Sequence, residues 1–304
     1  MEYQKCRLCG NVSELRNSHF IPASIYSELK AQAKKIEKST PGERGIQLLN
    51  IHKNKIIPLT QDIRRKHLCK SCEDLFGSRE KFFKENLMIK KQDTEKCIMP
   101  RLFEEIIKKI NINTDLKPHY ICNVLDKNDE EQIIYFILSI FWRGTLDWPN
   151  YISINFPKNI NKEIMNLLLE RTKNIENIKI YIDIPIIPFY SVSFPGKISE
   201  VIQEEILKIY IDEIIEKFSE EDTRKNEEQI KQMLELAKTI KTMGNTYIFN
   251  IQSCLFRLEF VENNKGKSIN YGRNKCISEI FKFVEEYKYA SANKAKNIIP
   301  IQNL

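Results

Sequence analysis

Cys6-Arg7-Leu8-Cys9, then Ser18-His19-Phe20-Ile21-Pro22, then Cys69-Lys70-Ser71-Cys72: the run between these two cysteine pairs decides how the chain is read. A CxxC turn folds the backbone through a knuckle, so its two thiolates can share one ion. Two such turns brought together place four thiolates at the corners of a tetrahedron, which structural zinc prefers. The competing reading is four unrelated buried cysteines. The pairs stand about 60 residues apart, further than a simple zinc ribbon needs. That gap leaves room for a β-hairpin and an additional helix. His19 lies between the pairs, so folding around the metal would fix its position.

Outward from the knuckles, a helix is expected from Ser24 through Lys35, with a loop around residues 39–45 (Ser-Thr-Pro-Gly-Glu-Arg-Gly). Past Cys72, the apolar residues Leu75, Phe76, Phe82, Phe83 and Leu87 suggest a helix with one apolar face. Gly77 costs that helix about 1 kcal/mol against alanine, so a break is allowed there. Beyond residue 95, Arg101 to Ile110, Glu130 to Trp142 and Lys162 to Lys173 read as helices. Tyr151 to Phe156, Ile178 to Ile184 and Ile186 to Phe194 read as strands, the last two interrupted by prolines that favour edges or turns. A charged helical stretch spans Ser199 to Thr242 in two pieces, with Ser219 as a candidate N-cap for the second. Thr246 to Ile251 and Cys254 to Val261 alternate as a β-hairpin or two neighbouring strands.

The chain has 304 residues, 42% hydrophobic and 29% charged, which fits a globular protein of one large domain or two ordinary ones. A net charge of +7 and a pI near 8.8 permit a polyanionic partner without demanding one. The N-terminus lacks the apolar core of a signal peptide. The densest apolar run, Ile133 to Trp142, is about half the ~20 residues a bilayer requires and is expected to be a buried core helix. No membrane partner is expected, and the expected compartment is cytoplasmic. Eight cysteines in that setting point to metal and free thiols; Cys97, Cys122, Cys254 and Cys276 lack paired spacing and are expected in the core.

The pattern Cys6-x-x-Cys9, Ser18-His19-x-Ile21-Pro22, Leu68-Cys69-x-x-Cys72-Glu73 resembles the zinc-bearing branch of the HNH endonucleases. A later Leu138-Ser139-Ile140-Phe141-Trp142-Arg143 resembles the Ser-x-x-Trp-Arg end of an apolar stretch in bacterial relatives with the same motifs. The resemblance covers roughly residues 1 to 90. It implies an α+β protein: a zinc-bound ββα-metal nuclease domain of treble-clef type over residues 1–92. A mixed, mostly helical α+β domain serving recognition, regulation or dimerisation is expected over 93–304. It implies structural Zn2+ on Cys6, Cys9, Cys69 and Cys72, and a catalytic Mg2+ or Mn2+.

The resemblance also implies that His19 ends the first strand of a hairpin and takes a proton from the attacking water, a role its pKa near 6.5 suits. The bland alternative is a histidine packed beside the knuckle. Many relatives carry an acidic residue where this chain has Ser18, and a hydroxyl is a weaker metal ligand. Glu73 stands where relatives often place His or Asn, and can serve a hard cation. Glu80, two turns on and roughly 10 Å away, would reach the same ion only if the helix bends. Otherwise it orients Arg64, Arg65 or Arg79, or is simply solvated. The HNH asparagine has no clear counterpart; Asp62, Arg64 and His67 occupy its neighbourhood. His67 is expected behind the zinc ligands or against DNA. His52 and His119 have no nameable partners. Arg64, Arg65 and Lys66 can grip backbone phosphates or form a solvated surface run.

The function the resemblance implies is DNA phosphodiester hydrolysis in bacterial anti-phage defence or restriction, with a homodimer or a defence-system protein as partner. The alternatives are a non-catalytic zinc-dependent nucleic-acid-binding module and a ribonuclease acting on RNA.

Overall fold

Two antiparallel pairings place His19. Strand β1 (Tyr3–Lys5) pairs with β2 (Val12–His19), which pairs with β5 (Arg64–Cys69), giving a three-stranded sheet ordered β1-β2-β5. The computed structural model describes residues 3–27, 47–50, 55–58, 62–86, 119–149, 151–183, 192–201, 245–251, 254–261 and 269–273, and single positions at 209, 212 and 231. In the β2–β5 ladder Arg16 faces Leu68 but Asn17 faces Lys66, so His67 has no opposite number. An extra residue of this kind bends a strand and re-aims the side chains around it. Strict alternation from buried Leu15 would bury Asn17 and His19. Past the irregularity it is Ser18 that is buried, and His19 is left half-exposed at the strand end.

Helix α1 (Lys70–Asn86) begins as β5 ends, so Cys69 closes the strand and Cys72 lies in the first helical turn. Cys72, Phe76 and Phe83 form its buried face. Gly77 does not break the helix. It stands on the exposed side, where a Cβ would meet nothing within 4 Å.

The expected hairpin between the knuckles is present as β3 (Gln47–Asn50) and β4 (Lys55–Pro58). It does not extend the small sheet. These strands, which fall before the expected boundary at residue 92, form one edge of a nine-stranded sheet. The other strands of that sheet are β6 (His119–Ile121), β7 (Ile178–Asp183), β8 (Val192–Ser193), β9 (Gly196–Lys197), β10 (Thr246–Ile251), β11 (Cys254–Phe260) and β12 (Asn270–Arg273). Its order is β4-β3-β8-β10-β11-β7-β12-β6, with β9 also paired to β10; β3 runs parallel to β8, and β12 parallel to β7. The hairpin read over residues 246–261 is β10–β11, closing at Ile251 opposite Cys254. The sheet organises the described C-terminal residues; the helices expected over 101–110 and 199–242 lie wholly or largely outside the described residues.

Helix α2 (Lys127–Arg143) packs between α1 and this sheet. Asp126 caps it, its carboxylate accepting from the Asp129 backbone N–H at 3.0 Å, and every residue from Ile133 to Arg143 is buried. Rings carry the contact: Phe136 stacks on Phe83 with centroids 3.7 Å apart, and Phe141 meets Phe249 edge-on at 4.8 Å. Helix α3 (Lys158–Leu168) starts and stops earlier than its sequence pattern suggests. Pro157 suits the residue before a helix, and Glu170, at φ 55°, turns the chain into the left-handed region just after it.

Tyr151 to Phe156 is not a strand. Its alternation serves docking against the end of α2: Ile154 N–H donates to the Gly144 carbonyl at 2.9 Å, Ser153 Oγ to Leu146 at 2.7 Å, and Tyr151 Oη to Pro195 at 2.7 Å. Phe20, one residue after His19, lies between the rings of Trp148 and Phe194, with centroids at 5.0 and 4.4 Å. One contiguous hydrophobic core thus runs from Cys6 to Ile269.

Candidate metal centre and histidine site

Cys6, Cys9, Cys69 and Cys72 converge, with their sulfurs all within 4.8 Å of one another. Zn–S bonds of about 2.3 Å require tetrahedral edges of about 3.8 Å; Cys9 and Cys69 Sγ stand 3.8 Å apart. No disulfide links them. The local backbone is shaped for the purpose. Gly10 adopts φ +81°, which returns its N–H to the Cys6 carbonyl at 3.0 Å, while the Cys6 N–H donates to the Asn11 carbonyl at 2.8 Å. The Arg7 N–H donates to the carbonyl of His67, the extra residue of β5, at 3.0 Å, so the strand irregularity docks the first knuckle. The Cys69 N–H points at Cys6 Sγ, 3.4 Å away. Hydrogen bonding from Cys72 is the chief cause that lowers the Cys6 thiol to about 4, and the same contact raises Cys72. Burial raises the Cys9 thiol as well, so thiolates gathered here need a cation among them. Four buried or half-buried thiols at this spacing could hold a structural ion such as zinc.

His19 stands at the far end of β2, opposite Arg64. Its Nε2 lies 3.7 Å from Asp62 Oδ2 and makes no hydrogen bond; the two side chains are 24% and 13% exposed. Asp62 also takes an ion pair from Arg64 at 2.9 Å. Burial is the main cause that holds the His19 pKa below its ordinary value, and the Arg64 and Arg143 guanidiniums add to it against Asp62 and Glu80. At neutral pH the ring is uncharged.

Asp62 is thus the member of the Asp62, Arg64 and His67 trio that meets the imidazole. Arg64 is its cross-strand neighbour, and His67 points elsewhere. His67 is buried against Trp148, with ring centroids 4.5 Å apart, and its Nε2 lies 3.0 Å from the Asp147 carbonyl oxygen; burial lowers its pKa. It supports the fold and offers DNA no surface.

Ser18 faces inward, its Oγ reaching only the Arg16 carbonyl at 3.4 Å. Glu73 lies in the first turn of α1, half-buried, with Oε1 shielded from solvent and making no hydrogen bond. Glu80 does not orient Arg64, Arg65 or Arg79. It pairs with Arg143 at 2.5 Å, while Arg79 goes to Glu170 at 3.1 Å and Arg65 to Asp147 at 3.0 Å. Of the other cysteines, Cys254 is in the core but Cys122 is exposed, bonding Asn270 at 3.3 Å, because it follows edge strand β6; Cys97 and Cys276 lie outside the described residues, as does His52.

Arg143 went unassigned by sequence reasoning. A lone cation closing an otherwise apolar buried run, Ile133 to Trp142, was the available signal, since such a charge persists only where it is paired. Among the described residues the four cysteines are the one group gathered closely enough to hold a metal, and no helix is long and apolar enough to cross a membrane. No family model, curated protein or solved structure matches this chain.

Proposed function

We propose that this protein is a metal-dependent HNH-type endonuclease that hydrolyses DNA phosphodiester bonds in bacterial anti-phage defence or restriction. The observation that carries the reading is His19: an uncharged, partly exposed imidazole at a strand end, its Nε2 shielded from solvent and making no hydrogen bond, beside a carboxylate and an arginine. A neutral imidazole can accept a proton from water at neutral pH. Asp62 steadies the ring and favours the imidazolium that forms. Arg64, half-exposed on the same strand end, meets a phosphate from the solvent side.

Asp62, beside His19, is the carboxylate that would hold a magnesium or manganese ion, since such an ion can rest on one protein carboxylate and keep several waters; Glu73 is a second candidate. When bound, that ion supplies positive charge for the phosphate and the leaving 3′ oxygen. Glu80 is committed to Arg143 and acts through that pair.

The test is nicking of supercoiled plasmid with magnesium or manganese. His19→Ala should lower the rate by about 100-fold or more while zinc content and fold persist. Equal cutting by wild type and His19→Ala would show the assigned base to be wrong. Wild-type binding without cutting in any metal would leave a nucleic-acid-binding module, and preferential cutting of RNA in competition would make the enzyme a ribonuclease.

A further inference from the structure

Arg143 is 2% exposed, in the last turn of α2, and both its terminal nitrogens bond groups of the N-terminal part, while its buried Nε makes no hydrogen bond. One terminal nitrogen donates to the Phe20 carbonyl at 3.3 Å, the other to Glu80 at 2.5 Å, and the cation sits over the Phe76 ring at 4.7 Å. The Arg143 carbonyl accepts from Trp148 Nε1 at 2.7 Å, and Trp148 stacks on Phe20. Phe20 is held by both backbone groups, its N–H donating to the Ile63 carbonyl at 3.0 Å. The residue after His19 is therefore held by the buried fork directly, and the residue after Asp62 through Phe20.

A buried arginine is an expensive way to fill a core. Its rigid planar fork fixes the spacing between a carbonyl and a carboxylate, whereas lysine's rotatable donors on a flexible stem leave that spacing loose and an apolar residue bonds neither. We propose that Arg143 is a positioning residue of the His19 site, holding the carbonyl of Phe20 and the carboxylate of Glu80 together so that α2 sets where the strand end bearing His19 lies. The site is then complete only when the C-terminal part of the chain is docked. The activity readout rests on the endonuclease reading, whereas the positioning itself is readable without catalysis.

The experiment uses the full chain, with Arg143→Lys as the main variant because it keeps the charge and folds more readily than Arg143→Met. Each protein is checked for zinc content and melting temperature. The His19 ring resonances are then followed by NMR, alongside plasmid nicking resolved into kcat and KM. Arg143→Lys should keep its zinc and shift the His19 resonances, with kcat falling about 100-fold and KM changing less than about twofold. Glu80→Gln should move the same resonances, and the double variant should be no worse than the more impaired single one, since both remove one linkage. Lys173→Met, on the exposed far side, should leave them in place. Unmoved His19 resonances in Arg143→Lys, whether or not its melting temperature falls, would overturn the proposal. If wild type cuts nothing in any metal, the endonuclease reading fails and the resonances alone decide whether Arg143 positions His19.

Discussion

His19 owes its neutrality to where it stands, and pH should reveal this. Burial first, and the Arg64 guanidinium next, hold its pKa below about 6.5. A general base works when deprotonated, so nicking should already be on its plateau at pH 7 and should fall only as pH drops through that lowered value. Arg64→Gln removes a cation that disfavours the charged ring, so the acidic limb of the rate profile should move to higher pH. A limb that stays put or moves to lower pH would separate Arg64 from the titration. Cys69→Ser should lose the metal and destabilise the knuckles, read as absence of zinc in freshly purified protein, because binding free energy there is folding free energy. The cysteines were legible because two CxxC spacings carry their own chemistry. The aim of His19 was not, since it depends on one unpaired residue, His67, some 50 positions further along the chain. Arg143 was legible only as an anomaly. Its partners Phe20 and Glu80 are remote in sequence and share no spacing rule with it.

Among the elements, α2 was the most readable: an apolar run of that length has few other fates, although its first turn and the Asp126 cap were missed. The β10–β11 hairpin was readable as two short apolar, β-prone runs separated by two residues, and both strands are largely buried. Tyr151 to Phe156 shows where periodicity misleads, because an alternating sequence can also dock as a loop, here with Tyr151 and Ile154 buried. That docking turns on Gly144, the residue that closes α2. A Cβ there would lie 3.0 Å from the Phe141 carbonyl oxygen, the Pro195 ring and Tyr151 Oη. Gly144→Ala should therefore cost about 1–3 kcal/mol by overpacking, measurable by denaturant titration. A neutral result would mean that the segment slides away from the helix at little cost.

The molecule as a whole is knit more tightly than two CxxC motifs followed by a long tail would suggest. The sequence marks a change of texture near residue 95 but carries no signal that β3 and β4 belong to a sheet completed some 200 residues later. Such long-range pairing is invisible to local patterns. Because one core spans both parts, heating should give a single cooperative transition, and a zinc chelator should lower the midpoint of that same transition; two separated transitions would refute this. Phe20→Ala, which empties the aromatic stack between the two parts, should cost about 3–5 kcal/mol of that shared stability. The Arg143–Phe20 bond joins residues 123 positions apart, and His67 meets a carbonyl 80 positions later. Chains fold from the N-terminus as they leave the ribosome. The nascent chain can gather its four cysteines once residue 72 has emerged, yet the strand end bearing His19, on the proposed positioning, waits for a helix that emerges later. On the proposed reading, the order of translation thus withholds a positioned His19 until that helix has left the ribosome.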